Sequence, residues 1–320
     1  MKSWFLVIML ALVGASVCQA EVPPQFILTW GSEGNDDGQF MRPLAITSDF
    51  VGNIYVAGGG QYRIQKFTNM GVYITQWVAP GGSRGAFNPH GLAIDAVGDV
   101  YASDYNNHRI MKFTNSGVLI TEWGSYGSGN GQFLYPIPVA VDGAGDVYVG
   151  DTNNRRIQKF TNMGVYITQW NLPGGSDGPF TAVGLAFDVN GDIYVSDSNN
   201  HRIVKFTSAG VLITEWGSRG GDNGQFYCPR GIAIDAAGDV YIADEDNNRI
   251  QKFTSSGVYI TEWGSYGNEN GQFWAPKEIT IDPEGSLYVL DSHNNRVQKF
   301  SYEPTPVQPT TWGAIKALYR

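Results

Sequence analysis

The side chains here that could hold an anion, bind a metal or move a proton fall into two sets: those that recur along the chain and those that do not. Asp104, Asp151, Asp197, Asp244 and Asp291 recur, each five residues ahead of an arginine: Arg109, Arg156, Arg202, Arg249 and Arg296. An aspartate ending one strand and an arginine opening the next can tie down the loop between them, with the intervening asparagines bonding local backbone. A catalytic set should appear once, converging from different elements, so these near-copies read as scaffold. His90, Arg230, Lys277 and Glu278 do not recur. Arg230 and Lys277 could face one anionic group, His90 could join them when protonated, and Glu278 adds a carboxylate; ordinary solvated surface is the competing reading.

Positioning such groups is the work of the elements around them. Trp30, Trp77, Trp123, Trp170, Trp216 and Trp263 are spaced 46 or 47 residues apart, and each is followed ten residues later by a phenylalanine. A fixed period of this size marks a solenoid or a propeller. Inside one period, "GLAID" (91–95) and "GDVYAS" (98–103) are short, rich in β-branched or aromatic residues and joined by a turn in which Gly98 can take a positive φ. "HRIMKFT" and "GVLITEW" follow, joined by "NSG". Each period therefore supplies four strands.

The ends choose between stacking and closure. "FILTW" (26–30) matches the fourth strand of a unit, as in "YITQW" or "LITEW", whereas the last unit stops at a third strand, "VQKF" (297–300). Joining the two completes six four-stranded blades and removes the open edges a solenoid would have to cap. The sequence predicts an all-β fold, a closed six-bladed β-propeller over 21–300 whose N-terminal strand completes the last blade. In that ring the residue after each strand-one proline lies near the mouth of the central channel. Going round, these are Leu44, His90, Ile137, Val183 (where Ala182 replaces proline), Arg230 and Lys277.

The pattern "P-x-G-[LI]-A-[IV]-D-x-x-G-D-[VI]-Y", continued by "D-x-x-N-x-R-I-x-K-F" with "NHR" at 107–109, resembles the NHL repeat. The resemblance covers about 26–300 and implies the same six-bladed fold. Similar propellers include binding modules, RNA-binding domains and a lyase, so the family does not imply one activity. The RNA-binding version fits poorly. Twelve of the 20 basic residues beyond residue 20 are distributed by the repeat, against 30 acidic ones, so no dense basic patch is expected. The resembling peptide-amidating lyases hold zinc with histidines from several blades. Here His108 and His201 share one repeat position, His293 lies in an equivalent loop, and only His90 is placed at the channel. A calcium-dependent lactonase would need a carboxylate and amide cluster, for which Glu278 alone falls short. No metal and no cofactor is expected.

The first twenty residues combine Lys2, the apolar run "WFLVIMLALVGA" and a small residue before Glu21, which predicts a cleaved secretory signal peptide over 1–20. A lipoprotein would need Cys18 at the cleavage point, where Val17 fits poorly. With Cys18 removed, Cys228 is left alone and no internal disulfide can form. Residues 301–310 hold three prolines and read as an extended linker, and 311–320 form a short amphipathic tail. That tail resembles "WGxIKxxYR" endings of secreted bacterial proteins, which implies surface attachment; a frayed terminus is the other reading. No membrane span is expected. The sequence thus points to a secreted, monomeric, non-enzymatic propeller presenting a rigid disc to a protein, peptide or carbohydrate, with an anionic ligand favoured. The alternative is a metal-dependent lyase or hydrolase with its site at the channel mouth.

Overall fold

A computed structural model describes residues 21–302. The signal peptide expected over 1–20, the tail 311–320 and all but the first two residues of the linker lie outside the described residues. No helix among the described residues is long and apolar enough to cross a membrane.

Among the described residues, twenty-four strands form six antiparallel four-stranded sheets. Blade two shows the plan, with β6 (Pro89–Ile94), β7 (Val100–Asp104), β8 (Arg109–Phe113) and β9 (Leu119–Trp123) paired in chain order. The first strands of the six blades are β2 (Ala45–Ser48), β6, β10 (Pro136–Val141), β14 (Ala182–Phe187), β18 (Pro229–Ile234) and β22 (Pro276–Ile281). Each packs beside the next, and β22 packs against β2, so the ring is closed. The last blade joins β22, β23 (Leu287–Asp291) and β24 (Arg296–Ser301) to β1 (Gln25–Trp30), which pairs antiparallel to β24 from Gln25↔Ser301 to Trp30↔Val297. The expected borrowing of an N-terminal strand is what the structure has.

Packing between blades explains the period. Trp30 lies 6.0 Å from Phe67 and 6.0 Å from Tyr288, so the closing strand's indole bridges the first and last blades. The turn between third and fourth strands then rests on the tryptophan of the preceding blade. At Gly117 a Cβ would come 2.6 Å from the Trp77 indole, and φ is +90°, so both the space and the left-handed backbone demand glycine. The second strands bury Tyr55, Tyr101, Tyr148, Tyr194, Tyr241 and Tyr288 completely. Their rings carry the repeat lysines, for instance Lys112 at 4.9 Å over Tyr101, and Lys112 also pairs with Asp95 and Asp99 at 3.3 and 3.0 Å. These lysines are spent on internal contacts.

Candidate ligand-binding site at the channel mouth

The recurring aspartates hold the upper loops. Asp151, at the end of β11 (Val147–Asp151), is fully buried. Its Oδ1 accepts the Leu134 N–H at 2.7 Å, and its Oδ2 accepts Asn154 Nδ2, Arg156 Nε and Gln158 Nε2 at 2.9, 2.7 and 3.1 Å. The Asp–Arg bond repeats at 104–109, 197–202, 244–249 and 291–296. The first blade has Gly58 in place of the aspartate, and there Arg63 keeps the bonds to the carbonyls of Asn35, Asp36 and Gln39, the counterparts of carbonyl bonds that Arg249 and Arg296 make in addition to their aspartates.

Histidines join the same framework. Tyr62, His108, Arg155, His201, Asn248 and Asn295 all take the left-handed conformation, with φ of 53–57°. His108 Nδ1 accepts the Tyr135 N–H and His201 Nδ1 the Cys228 N–H, at 3.0 and 3.1 Å. Asn248 and Asn295 accept the matching N–H groups of Ala275 and Arg42. Imidazole and amide are doing the same job. No three His, Cys, Asp or Glu side chains gather into a possible metal site among the described residues.

The mouth is built differently. In five blades the pairing of first and second strands shifts register next to the residue after the proline or, in blade four, after Ala182. Such bulges re-aim side chains, which turns His90, Ile137, Val183, Arg230 and Lys277 away from a regular alternation. Arg230 Nε donates to Glu245 Oε2, and Lys277 Nζ lies 3.1 Å from Glu245 Oε1. Two cations on adjacent blades therefore share one carboxylate, and the charge of Asp246 also acts on Lys277. Glu245 opens the short 3-10 turn Glu245–Asn247 just after Asp244, whose bond to Arg249 fixes the backbone there. Burial and the Arg230 charge pull the Lys277 ammonium below its ordinary range, with Glu245 opposing.

His90 stacks on Tyr105 at 4.1 Å with the rings only 9° from parallel. Burial, then the charges of Arg230 and Lys277, push its imidazole down to about 4, so it is neutral at pH 7 and presents a flat ring rather than a third cation. Tilted and edge-on aromatic contacts lead on from it through Tyr135, 4.7 Å from Tyr105, to His108 and Tyr126.

Glu278 lies one step deeper. It lines a cavity of about 280 Å³ running along the first strands, otherwise walled by residues such as Ile46, Leu92, Val139 and Leu185, and it is the one ionisable group in that wall. Its Oε1 accepts the Ile279 N–H at 3.3 Å, and a Cβ at Gly231 of the neighbouring blade would overlap it. Burial pushes its carboxyl up to about 8. Sequence reasoning brought together Arg230 and Lys277, with His90 across the channel, but missed Glu245 and Tyr105. Both follow a strand-two aspartate. That position runs Tyr105, Thr152, Ser198, Glu245 and Ser292 in blades two to six, so its variability was a usable signal.

Five stretches, 88–113, 133–160, 181–206, 226–253 and 273–300, match the NHL repeat family. With six four-stranded blades in a closed ring, the chain is an NHL-repeat β-propeller. The first blade, lacking the aspartate and both asparagines, is outside the matched stretches. No curated protein matches the sequence. Among solved structures, a protein of unknown function from Bacteroides thetaiotaomicron superposes with a TM-score of 0.68 at 20% identity, covering 85% of this chain and 74% of that one. An auxiliary nutrient binding protein from the same organism gives 0.62 at 17%, covering 82% and 69%. Virginiamycin B lyase from Staphylococcus aureus gives 0.59 at 16%, covering 85% and 94%. These likenesses concern the fold.

Proposed function

We propose that the protein is a secreted, non-enzymatic binding propeller that seats a protein, peptide or carbohydrate ligand over the channel mouth, with an acidic group of that ligand meeting Arg230 and Lys277. The observation that carries this reading is the pair of cations from adjacent blades converging on the single carboxylate of Glu245. It occurs at the ring of positions where the otherwise repetitive sequence varies. Arg230 keeps about a third of its side chain exposed, so its guanidinium can meet a second carboxylate or a phosphate. Leu44, Ile137 and Val183 with the His90–Tyr105 stack offer an apolar remainder of the rim. A nutrient-binding protein among the similar folds is in keeping with a binding role.

A thermal-shift screen of acidic peptides and anionic glycans tests this. Arg230→Ala and Lys277→Ala should fold normally and bind any anionic hit about 10–100-fold more weakly, the equivalent of roughly 1.5–3 kcal/mol for one lost charged partner. A hit whose affinity neither change alters would sink the proposal. The alternative, a divalent-metal lyase or hydrolase at the same mouth, draws on Glu278, a carboxyl held near neutrality in a channel. Stoichiometric, tightly bound zinc or calcium in the purified protein would favour it.

A further inference from the structure

The connection between blades five and six carries an aromatic corner that the mouth does not use. Tyr266 stands three residues after Trp263, and Trp274 one residue after Phe273. Their rings lie 6.0 Å apart and 76° from parallel, and Trp274 stands edge-on to His293 at 5.3 Å. Tyr266 is 65% and Trp274 46% exposed, so both rings are open to a partner. Two clefts, of about 280 and 170 Å³, meet at the pair, and the second is walled by Glu245, Asp246 and His293 as well.

The repeat itself shows what such rings take. Tyr126 sits in the same "WGSYG" segment as Tyr266, and there the Arg84 guanidinium lies 4.2 Å over the ring. In the connection between blades four and five, Arg219 and Tyr227 occupy the places of Tyr266 and Trp274. Arg219 lies 5.0 Å over the Tyr227 ring and donates to its hydroxyl at 2.9 Å. Both places are aromatic between blades five and six, and no lysine or arginine covers either ring among the described residues. The exposed Asp246 carboxylate likewise makes no ion pair among the described residues.

We propose that the Tyr266–Trp274 corner, with Asp246 on its wall, receives the guanidinium of an arginine presented by a partner polypeptide. An electron-rich ring face and a nearby unpaired carboxylate attract the same planar cation, which a chain of net charge -9 also draws by its overall field. Two rings near a right angle make a corner suited to a compact group, whereas a sugar ring stacks on an open flat face.

The site adjoins the Arg230–Lys277 subsite, with Glu245 on the wall between them, and is scored on a different probe, so either can fail alone. The test uses full-length protein with ¹⁵N-labelled tryptophan, observed by indole N–H correlation spectra, the Trp274 signal being assigned by its loss in Trp274→Leu. The probe is N-acetyl-arginine amide, with the citrulline counterpart as a neutral isostere and methyl glucoside as the sugar control. A saturable shift of the Trp274 signal with the arginine probe alone is expected. Tyr266→Ala and Asp246→Asn should each weaken it about threefold or more, Asp246→Asn leaving the rings intact should Tyr266→Ala perturb folding. No saturable shift with the arginine probe, equal binding of the citrulline probe or of methyl glucoside, or undiminished affinity in both variants would overturn the assignment.

Discussion

Substituting Asp151 by alanine tests whether the recurring Asp–Arg pairs are framework. The carboxylate is fully buried and accepts four hydrogen bonds, and the Arg156 side chain it meets is only 6% exposed. Alanine strands the Leu134 N–H and leaves a buried guanidinium short of its counter-ion, a change that typically costs about 3–5 kcal/mol. The lower part of that range applies, because Arg156 keeps Gln169 and the carbonyls of Gly129 and Gln132 as partners. For a domain of this size the melting temperature should fall by about 6–10 °C. Replacing Arg156 by methionine in the same chain should recover part of the loss, since the uncompensated charge is then gone. Scanning calorimetry of the two variants and the parent decides it: a fall below about 2 °C for Asp151→Ala would refute the reasoning, because ordinary surface changes cost no more.

Deleting residues 21–31 removes β1 with Trp30 and should cause aggregation or a larger melting loss than Asp151→Ala, while deleting 303–320 should leave melting unchanged; equal melting of the two truncated proteins would contradict strand borrowing. Glu278 is held protonated in the fold, its carboxyl moving from its ordinary 4.5 to about 8, so the stabilisation is complete below pH 4.5 and is lost as pH rises toward 8. Relative to Glu278→Gln, the parent should lose stability across that window by up to about 1.4 kcal/mol per pH unit and no further above it, read from denaturant midpoints; parallel curves would show that the carboxyl is not buried.

The fold was legible because its marks are local and repeated. Trp at a fixed interval, a glycine turn and alternating short strands each specify backbone geometry without reference to distant residues. Strand β1 was legible for another reason: "FILTW" keeps the sequence of the fourth strands although its partner lies at the far end of the chain. The mouth was half legible. The proline before five of the six variable residues marks equivalent backbone positions, which brought Arg230 and Lys277 onto neighbouring blades and His90 across from them. Proline does not mark Glu245, which belongs to the turn after a second strand, so its meeting with both cations depended on how that turn lies against the bulged starts of β18 and β22. The protonation of His90 and Glu278 was hidden as well, since it follows from burial, and sequence order does not report burial at a ring mouth.

The closing strand also sets a schedule. Thr29 donates its hydroxyl to the Val297 carbonyl across a sequence separation of 268 residues. At a synthesis rate of about 5–20 residues per second, β1 waits roughly 13–54 s for the strand it will pair with. Throughout that interval, chains under construction expose an unpaired edge whose sequence is nearly that of every other fourth strand. What protects against wrong pairing is tempo. Strands such as β8 and β9 are joined by a turn of a few residues and can zip together in microseconds, so each interior slot is filled by its own neighbour before β1 can compete for it. The last slot, beside β24, is the one β1 takes, and among the described residues no further strand follows β24. In a chain of near-identical parts, order of emergence does the sorting that side chains alone could not.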